Sequence, residues 1–476
     1  MLKVEYVNET YIRIVTEPSI EMELSEAFCF KVPGFQFMPK FRAGIWDGNV
    51  RLFNQRNKTI YRGLLQQVIE FCKQREYEID FPSEFADREF SETQANNFIK
   101  SLNLKHIPRD YQTDYFIKAV RSKRAAVVSP TGSGKSLMIY MLTRLYNKKT
   151  LLIVPTVALV RQMVGDFEDY GYDKPIHQIY SGQEKDTDDK VTVTTWQSIY
   201  KMPKTWFDQF DVAICDEVHK AKADALTRIM ENLHNCKYRI GFTGTLGSVK
   251  TNQLIIEGLF GPPITEVTTS ELIDRKLLAD FKIKCIVFNY PDEIKKQVVK
   301  LDYQQEIDYI ITSEARNNFI SNLALSLKGN TLILFSRIKH GERLFDLISG
   351  NTTRPVYYID GSVDIDETEH VRKIIDTHKD AIIVAIDKKF STGINIETLQ
   401  YLIFAAPSKA EITILQSIGR MLRRTESKTS SVLFDISDNF KWRTSSNYTL
   451  KHFLARLQIY SKQKFPFKVF NVELIK

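Results

Sequence analysis

No stretch of the 476-residue sequence reaches the roughly 20 consecutive apolar residues that a membrane-crossing helix needs, so a membrane-embedded chain is not expected. The opening residues, MLKVEYVNETYIRIVTE, carry acids throughout and no apolar core, and no signal peptide is expected there. Cysteine is scarce. The five (Cys29, Cys72, Cys215, Cys236 and Cys285) are odd in number, scattered and never arranged as C-x-x-C, which argues against a disulfide framework or a zinc site and for a reducing compartment. Low-complexity tracts and short-period repeats are absent too, which excludes a solenoid or a disordered linker protein. What is present is a hydrophobic fraction of 43% and a charged fraction of 26%, the balance of a globular protein. The length is too great for one ordinary core and predicts two or three domains.

The net charge of +8 is modest, but it is unevenly spread. Residues 31–62 hold Lys31, Lys40, Arg42, Arg51, Arg56, Lys58 and Arg62 against the single acid Asp47. The stretch after Ser437 holds Lys441, Arg443, Lys451, Arg456, Lys462, Lys464, Lys468 and Lys476 against Asp438 and Glu473. Two basic zones suit a polyanionic partner; charge alone fits two solvated surfaces equally well.

Three zones separate along the chain. Residues 1–105 contain alternating runs such as TYIRIV and VRLFN, which predict strands, and end in the helical run SETQANNFIKSLNL. Asp47-Gly48, between alternating runs, predicts a tight β-hairpin. Residues 106–265 repeat an apolar strand followed by a helical pattern: AAVVS, TLLIVP, VTVTT, DVAICDE and YRIGFTGT. Residues 266–476 do the same with TLILFS, PVYYID, AIIVAID, QYLIFAA and SVLFDIS. Such alternation predicts α/β architecture, with two parallel-sheet domains in series behind a small N-terminal α+β domain.

The chemistry is concentrated in the second zone. VVSPTGSGKSLM (127–138) reads as strand, phosphate-gripping loop and helix. The loop Pro130–Ser136, a span that includes Thr131 and Ser133, can wrap a phosphate with the backbone N–H groups that follow the proline, because Gly132 and Gly134 allow close approach. Lys135 would neutralise the β- and γ-phosphates, and the Ser136 hydroxyl would hold Mg²⁺. The usual first glycine of such a loop is Ser129 here, small enough for the loop to survive. DVAICDEVHK ends an apolar strand in Asp216, suited to Mg²⁺, and Glu217, suited to orienting or deprotonating water. Far downstream, LQSIGRMLRR brings Gln416, Arg420 and Arg423 to helical spacing. Arginines can stabilise charge on a transferring phosphoryl group, or they can be an ordinary basic helix face.

The ordered set RDYQ (109–112), SPTGSGKS (129–136), PTVALVRQ (155–162), TTWQS (194–198), DEVH (216–219), TGT (243–245), STGINI (391–396) and QSIGRMLRR (416–424) resembles the superfamily 2 helicases. The front module FMPKFRAGIWDGNVRLFN is similar to that of the UvsW-like phage recombination helicases. The resemblance implies two RecA-like domains with ATP and Mg²⁺ as cofactors. It assigns Arg109 and Gln112 to the adenine, Gly393 to the nucleotide cleft, and Arg420 and Arg423 to the γ-phosphate, with Gln416 in the catalytic set beside them. Thr243 and Thr245 would couple hydrolysis to strand contact. Thr156, Arg161, Trp196, Gln197, Ser391 and Thr392 match positions that touch a nucleic-acid backbone, although Trp196 also fits a core aromatic. Arg42 and Arg51, beside Trp46 and Phe53, fit either a DNA grip or a plain small sheet domain.

The function so implied is an ATP-dependent DNA helicase that remodels branched DNA by branch migration, fork regression and R-loop unwinding. Its setting would be phage recombination, repair and replication in the host-cell cytoplasm. The expected partner is DNA, contacted with little sequence preference; a monomer and no membrane are expected. An RNA helicase, a restriction-type translocase and an ATP-gated DNA-binding module remain open as alternatives. A P-loop kinase would leave the downstream arginines unexplained.

Overall fold

The computed structural model describes residues 1–474 apart from 181, 221–222, 248, 362–370, 372–373, 376, 388–395, 397, 407–410 and 425–427. The chain divides into two compact units, Met1–Val267 and Thr268–Lys476. Among the described residues no helix is long and apolar enough to cross a membrane.

The first unit begins with a four-stranded mixed sheet. Leu2–Tyr6 pairs antiparallel with Tyr11–Val15 and parallel with Ile79–Asp80, and Thr59–Tyr61 completes the other edge. Alternation puts Leu2, Val4, Ile12 and Ile14 on one face, where they meet Ile20 and Leu24 of the helix Pro18–Ala27 and Val68 and Phe71 of the helix Leu65–Gln74. The polar run before the second zone forms the helix Glu92–Ser101, opened by a capping box between Ser91 and Gln94.

The same unit holds a seven-stranded parallel sheet. Its order is Pro263–Ile264, Arg124–Val128, Tyr238–Thr243, Val212–Cys215, Thr150–Val154, Val191–Thr195 and Ile176–Ile179. Its central strands are buried on both faces, hence their nearly unbroken apolar runs. The mixed sheet is joined to this one by buried charge. Arg124 Nη1 donates to the Glu9 carbonyl at 2.6 Å, Arg62 Nη1 reaches Glu9 Oε2 at 2.5 Å, and Arg239 Nη2 donates to Thr10 Oγ1 at 2.8 Å. The hydroxyls of Tyr11 and Tyr61 both donate to Glu231 Oε1 at 2.7 Å. Burial, then neighbouring guanidinium charge, pushes Arg124 well below the ordinary arginine range.

The second unit is another seven-stranded parallel sheet: Val356–Ile359, Ile382–Ile386, Thr331–Phe335, Tyr401–Phe404, Ser430–Asn439, Asp280–Asn289 and Phe467–Glu473. Two buried ion pairs brace it, Arg316 with Asp438 at 2.9 Å and Arg456 with Asp435 at 2.8 Å.

Several sequence expectations need correction. Asp47-Gly48 is not the turn of a tight hairpin. Asn49–Arg51 pairs antiparallel with Cys29–Lys31, so an excursion of residues 32–48 separates the two strands. Arg62 and Arg456, counted in the two basic zones, are engaged by acids, Arg62 with Glu9 at a largely covered position and Arg456 with Asp435 in the core. The helix Glu411–Met421 ends before Arg423, which lies beyond the helix that carries Gln416 and Arg420. The cysteines pair with nothing as disulfides, and burial pushes the Cys236 thiol up to about 12, a state unsuited to redox or metal chemistry at neutral pH.

His340 gives the second unit an acid limit. Its ring is 1% exposed, with Nε2 3.1 Å from Asn317 Oδ1. Burial, reinforced by Arg316, lowers its pKa from 6.5 to about 3. Between those values the unfolded chain binds a proton that the folded chain refuses, so stability falls as acid is added. From pH 7 to 5 the unfolding free energy should therefore drop by about 2 kcal/mol more in the native chain than in His340→Gln. Parallel pH profiles from urea titration would contradict this.

Candidate functional site

In a parallel sheet every strand leaves by the same edge, and at that edge of the first unit the predicted residues collect. The strand Arg124–Val128 runs into the loop 129–134, and the helix Lys135–Tyr146 follows. Gly132 and Gly134 have φ of +83° and +81°, the left-handed values that turn successive N–H groups inward. A Cβ on Gly134 would lie 2.3 Å from Gln112 Nε2.

The loop is held from three sides. The Ser129 and Ser133 hydroxyls meet at 2.6 Å, both buried, so the serine in place of the usual glycine acts as a clip across the loop. Gln112 Nε2 and the Tyr111 hydroxyl donate to the Ser133 carbonyl at 2.8 and 3.0 Å, and Arg109 Nη1 donates to the Tyr111 hydroxyl at 3.0 Å. The Ser129 N–H donates to the Thr243 carbonyl at 2.9 Å, stitching the loop to the adjacent strand. Arg109 and Gln112, predicted to read adenine, are thus within the loop's own hydrogen-bond network.

Lys135 and Glu217 come together. Lys135 Nζ lies 3.9 Å from Glu217 Oε1 and 3.5 Å from the Ser129 carbonyl. Glu217 follows the strand Val212–Cys215 in a left-handed conformation (φ +52°), a strain of about 1–2 kcal/mol for a residue with a Cβ. Its N–H donates to Asp216 Oδ1 at 2.9 Å. Glu217 Oε2 is 3.4 Å from His219 Nδ1, which is 2.6 Å from Thr243 Oγ1. The Thr243 hydroxyl also donates to the Thr245 carbonyl at 2.7 Å. His219, the last residue of DEVH, thereby links the acid pair to Thr243 and Thr245.

Ser136 and Asp216 present hydroxyl and carboxylate oxygens, the hard donors Mg²⁺ takes. Two protein oxygens are few for an octahedral ion, so the fit is to Mg²⁺ arriving with nucleotide phosphates. Tyr170, which the sequence did not single out, places its hydroxyl 3.0 Å from Ser136 Oγ.

The predicted nucleic-acid contacts divide. Thr156 caps the helix Val157–Asp169, its Oγ1 accepting from the Leu159 N–H at 3.4 Å, and Arg161 is exposed near the Tyr180 ring. Trp196 is 6% exposed in the core with Ile199, Phe207 and Ile229, so its ring offers no open face for a base; Gln197 beside it is exposed. Arg42 is exposed and donates from Nε to the Gln36 carbonyl at 3.3 Å. Arg51 is tied to Asp47 at 2.5 Å, and that bond holds the Asp47 carboxyl well below the usual range. In the second unit Gln416 is 7% exposed, whereas Arg420 and Arg423 are half-buried. Ser391, Thr392 and Gly393 lie outside the described residues.

Substituting Gly134→Ala should impose both the left-handed strain and the clash with Gln112. We expect nucleotide affinity to fall at least tenfold by equilibrium titration, with about 1–2 kcal/mol of unfolding free energy lost. Unchanged affinity would contradict the cradle geometry.

Comparison with known proteins gives the geometry a lineage. Residues 1–82 match the family model described as DNA helicase UvsW, N-terminal; residues 89–248 match type III restriction enzyme, res subunit; residues 314–425 match the helicase conserved C-terminal domain. The chain is 35% identical over 502 residues to the ATP-dependent DNA helicase uvsW of Enterobacteria phage T4, covering 99% of this chain and all of that one. It is 24% identical over 358 residues to the DNA 3'-5' translocase XPB2 of Sulfurisphaera tokodaii, covering 67% and 79%. The crystal structure of T4 UvsW aligns over all of both chains with a TM-score of 0.52 at 34% identity. The DNA-bound type ISP restriction-modification enzyme LlaBIII shares the fold, with a TM-score of 0.58 at 16% identity over 77% of this chain and 31% of that one. With near-complete coverage at this identity, and a phosphate loop facing an acid pair at one sheet edge, the chain belongs to the UvsW family of ATP-dependent DNA helicases.

Proposed function

We propose that this helicase remodels branched DNA, by branch migration, fork regression and R-loop unwinding, in phage recombination, repair and replication. The observation that carries this reading is the full-length kinship with a phage helicase, N-terminal module included. In this reading three segments divide the work: 1–105 engages DNA, 106–265 holds ATP, and 266–476 completes the motor. The chain acts as a monomer in the host-cell cytoplasm.

Lys135 and the N–H groups of residues 131–136 grip the β- and γ-phosphates. Ser136 and Asp216 would hold Mg²⁺, which neutralises charge on the phosphate oxygens as they separate. Glu217 orients the attacking water and takes its proton. Arg109 and Gln112 set the adenine end, and Gly393 belongs to the same cleft. Arg420 and Arg423 belong to the γ-phosphate, where guanidinium groups stabilise the charge that spreads over the transferring group, and Gln416 completes the catalytic set. When the phosphate leaves, the grip on DNA changes, because nucleotide can shift a conformational balance only by binding its states unequally. Thr156, Arg161, Gln197, Ser391 and Thr392 contact the DNA backbone, with Trp196 supporting them from the core. Hydroxyls, amides and guanidinium groups read phosphate rather than base edges, so sequence preference is slight and binding weakens steeply with salt.

The test is ATP hydrolysis without polymer and with single-stranded DNA, duplex, a four-way junction and RNA, scored beside strand separation on the junction. The native chain should be stimulated most by the junction. Glu217→Gln should bind ATP and DNA yet lose hydrolysis and unwinding by at least a hundredfold. Unwinding by Glu217→Gln would overturn the catalytic assignment, and equal stimulation by every DNA would overturn the branched-DNA reading.

A further inference from the structure

The excursion of residues 32–48 stands where the sequence predicted a tight hairpin, and its build is unusual. It is closed at its base, where the Val32 N–H donates to the Gly48 carbonyl at 2.9 Å beside the ribbon Cys29–Lys31/Asn49–Arg51. Inside, Phe35 and Phe41 meet edge to face at 4.6 Å, and the Lys31 ammonium lies 4.6 Å from the Phe35 ring centre. Gly48 (φ +82°) lets the chain pass this pair, since a Cβ there would come within 2.5 Å of Phe35. The 3₁₀ turn Phe35–Phe37, the short helix Pro39–Arg42 and the bond from Ile45 N–H to the Lys40 carbonyl fix the rest. Trp46 Nε1 donates to the Asn49 carbonyl at 2.7 Å.

This ordered scaffold turns its remaining large apolar side chains outward. Phe37 is 69% exposed, Met38 38% and Ile45 78%. Nothing in the folding of the module needs them there, because its core closes with Leu2, Ile12, Phe53, Leu64 and their neighbours. Around them stand Lys40 and Arg42, both exposed. The only acid of the segment, Asp47, is engaged by Arg51. Apolar tips ringed by cations on a rigid support match a polyanion that also offers flat apolar faces, which is nucleic acid with unstacked bases. A groove of about 660 Å³, lined in part by Arg13, Asn54 and Asn57, adjoins the ribbon through Arg51 and offers the Arg13 guanidinium and amide groups of the kind that follow a phosphate backbone.

We infer that residues 32–48 form a wedge, with Phe37 and Ile45 set against unstacked bases at a DNA branch point and Lys40 and Arg42 on the flanking phosphates. The inference rests on the branched-DNA reading and adds to it the side chains that recognise the branch. Base stacking on a protein aromatic is worth about 1–3 kcal/mol per base, enough for a tenfold preference. Lys40 and Arg42 contribute affinity that salt screens, whereas the apolar tips contribute the discrimination between a branch and an intact duplex.

The test uses the full chain and measures affinity by fluorescence anisotropy for a four-way junction, duplex and single strand, with 2-aminopurine at the branch point. For Phe37→Ala/Ile45→Ala we expect about a tenfold loss of junction affinity, loss of the 2-aminopurine change, and unaltered duplex affinity, ATP affinity and melting temperature. Phe37→Tyr should retain junction binding. Lys40→Ala/Arg42→Ala should weaken all three DNAs alike and flatten the salt dependence. Native junction affinity in the double apolar variant, or an equal loss on every DNA, overturns the wedge. A native chain with no preference for the junction removes the branched-DNA reading itself and the wedge with it.

Discussion

The shared direction of the strands in the first parallel sheet is the constraint on which the rest depends. Because all leave by one edge, segments distant in sequence are delivered to one place: the loop after Val128, the cap at Thr156, the acids after Cys215 and the turn after Thr243. The strand order decides which of these can touch. Tyr238–Thr243 lies between Arg124–Val128 and Val212–Cys215, so Thr243 has the phosphate loop on one side and the acid pair on the other. The Ser129 N–H is bonded to its carbonyl and His219 to its hydroxyl. The phosphate loop and the acid pair are therefore both tied to Thr243, whose hydroxyl is in turn bonded to the Thr245 carbonyl.

The opposite ends of the same strands are also in use. Arg124 starts the strand that delivers the phosphate loop, and Arg239 sits near the start of the strand that delivers Thr243. Both are buried and both bond to Glu9 or Thr10 of the N-terminal module. The module is thus fastened to the two strands that matter most for nucleotide. Breaking a buried ion pair by removing one partner costs about 3–5 kcal/mol, so the fastening is rigid on the scale of the protein's total stability. It gives the wedge a firm base, which a tethered domain on a flexible linker would lack.

Much of this was legible in the residues. Fully buried parallel strands read as unbroken apolar runs, and TLLIVP, DVAICDE and TLILFS were recognisable for that reason. The phosphate loop was legible because Gly132, Gly134, Lys135 and Ser136 each answer a separate demand of phosphate binding. The strands Ile176–Ile179 and Phe467–Glu473 were not, since both lie at sheet edges where one neighbour is missing and polar residues interrupt the apolar run. Asp47-Gly48 misled because a turn dipeptide says nothing about which strand lies across from it; Arg51 and the Phe35 ring, not a hairpin partner, set its conformation. Arg62 and Arg456 misled because charge in a sequence carries no burial. The contacts of Tyr170 with Ser136 and of His219 with Thr243 depend on side chains meeting across elements, and no local pattern fixes that geometry.

The account rests on phosphates being held by backbone N–H groups at a single sheet edge, and amide hydrogen exchange reads those groups directly. With Mg²⁺ and a non-hydrolysable ATP analogue, the amides of residues 131–136 should slow by at least tenfold while the edge strand Ile176–Ile179 exchanges as before. If those amides exchange at the same rate with and without the analogue, although it binds, the phosphates lie elsewhere and the account is wrong.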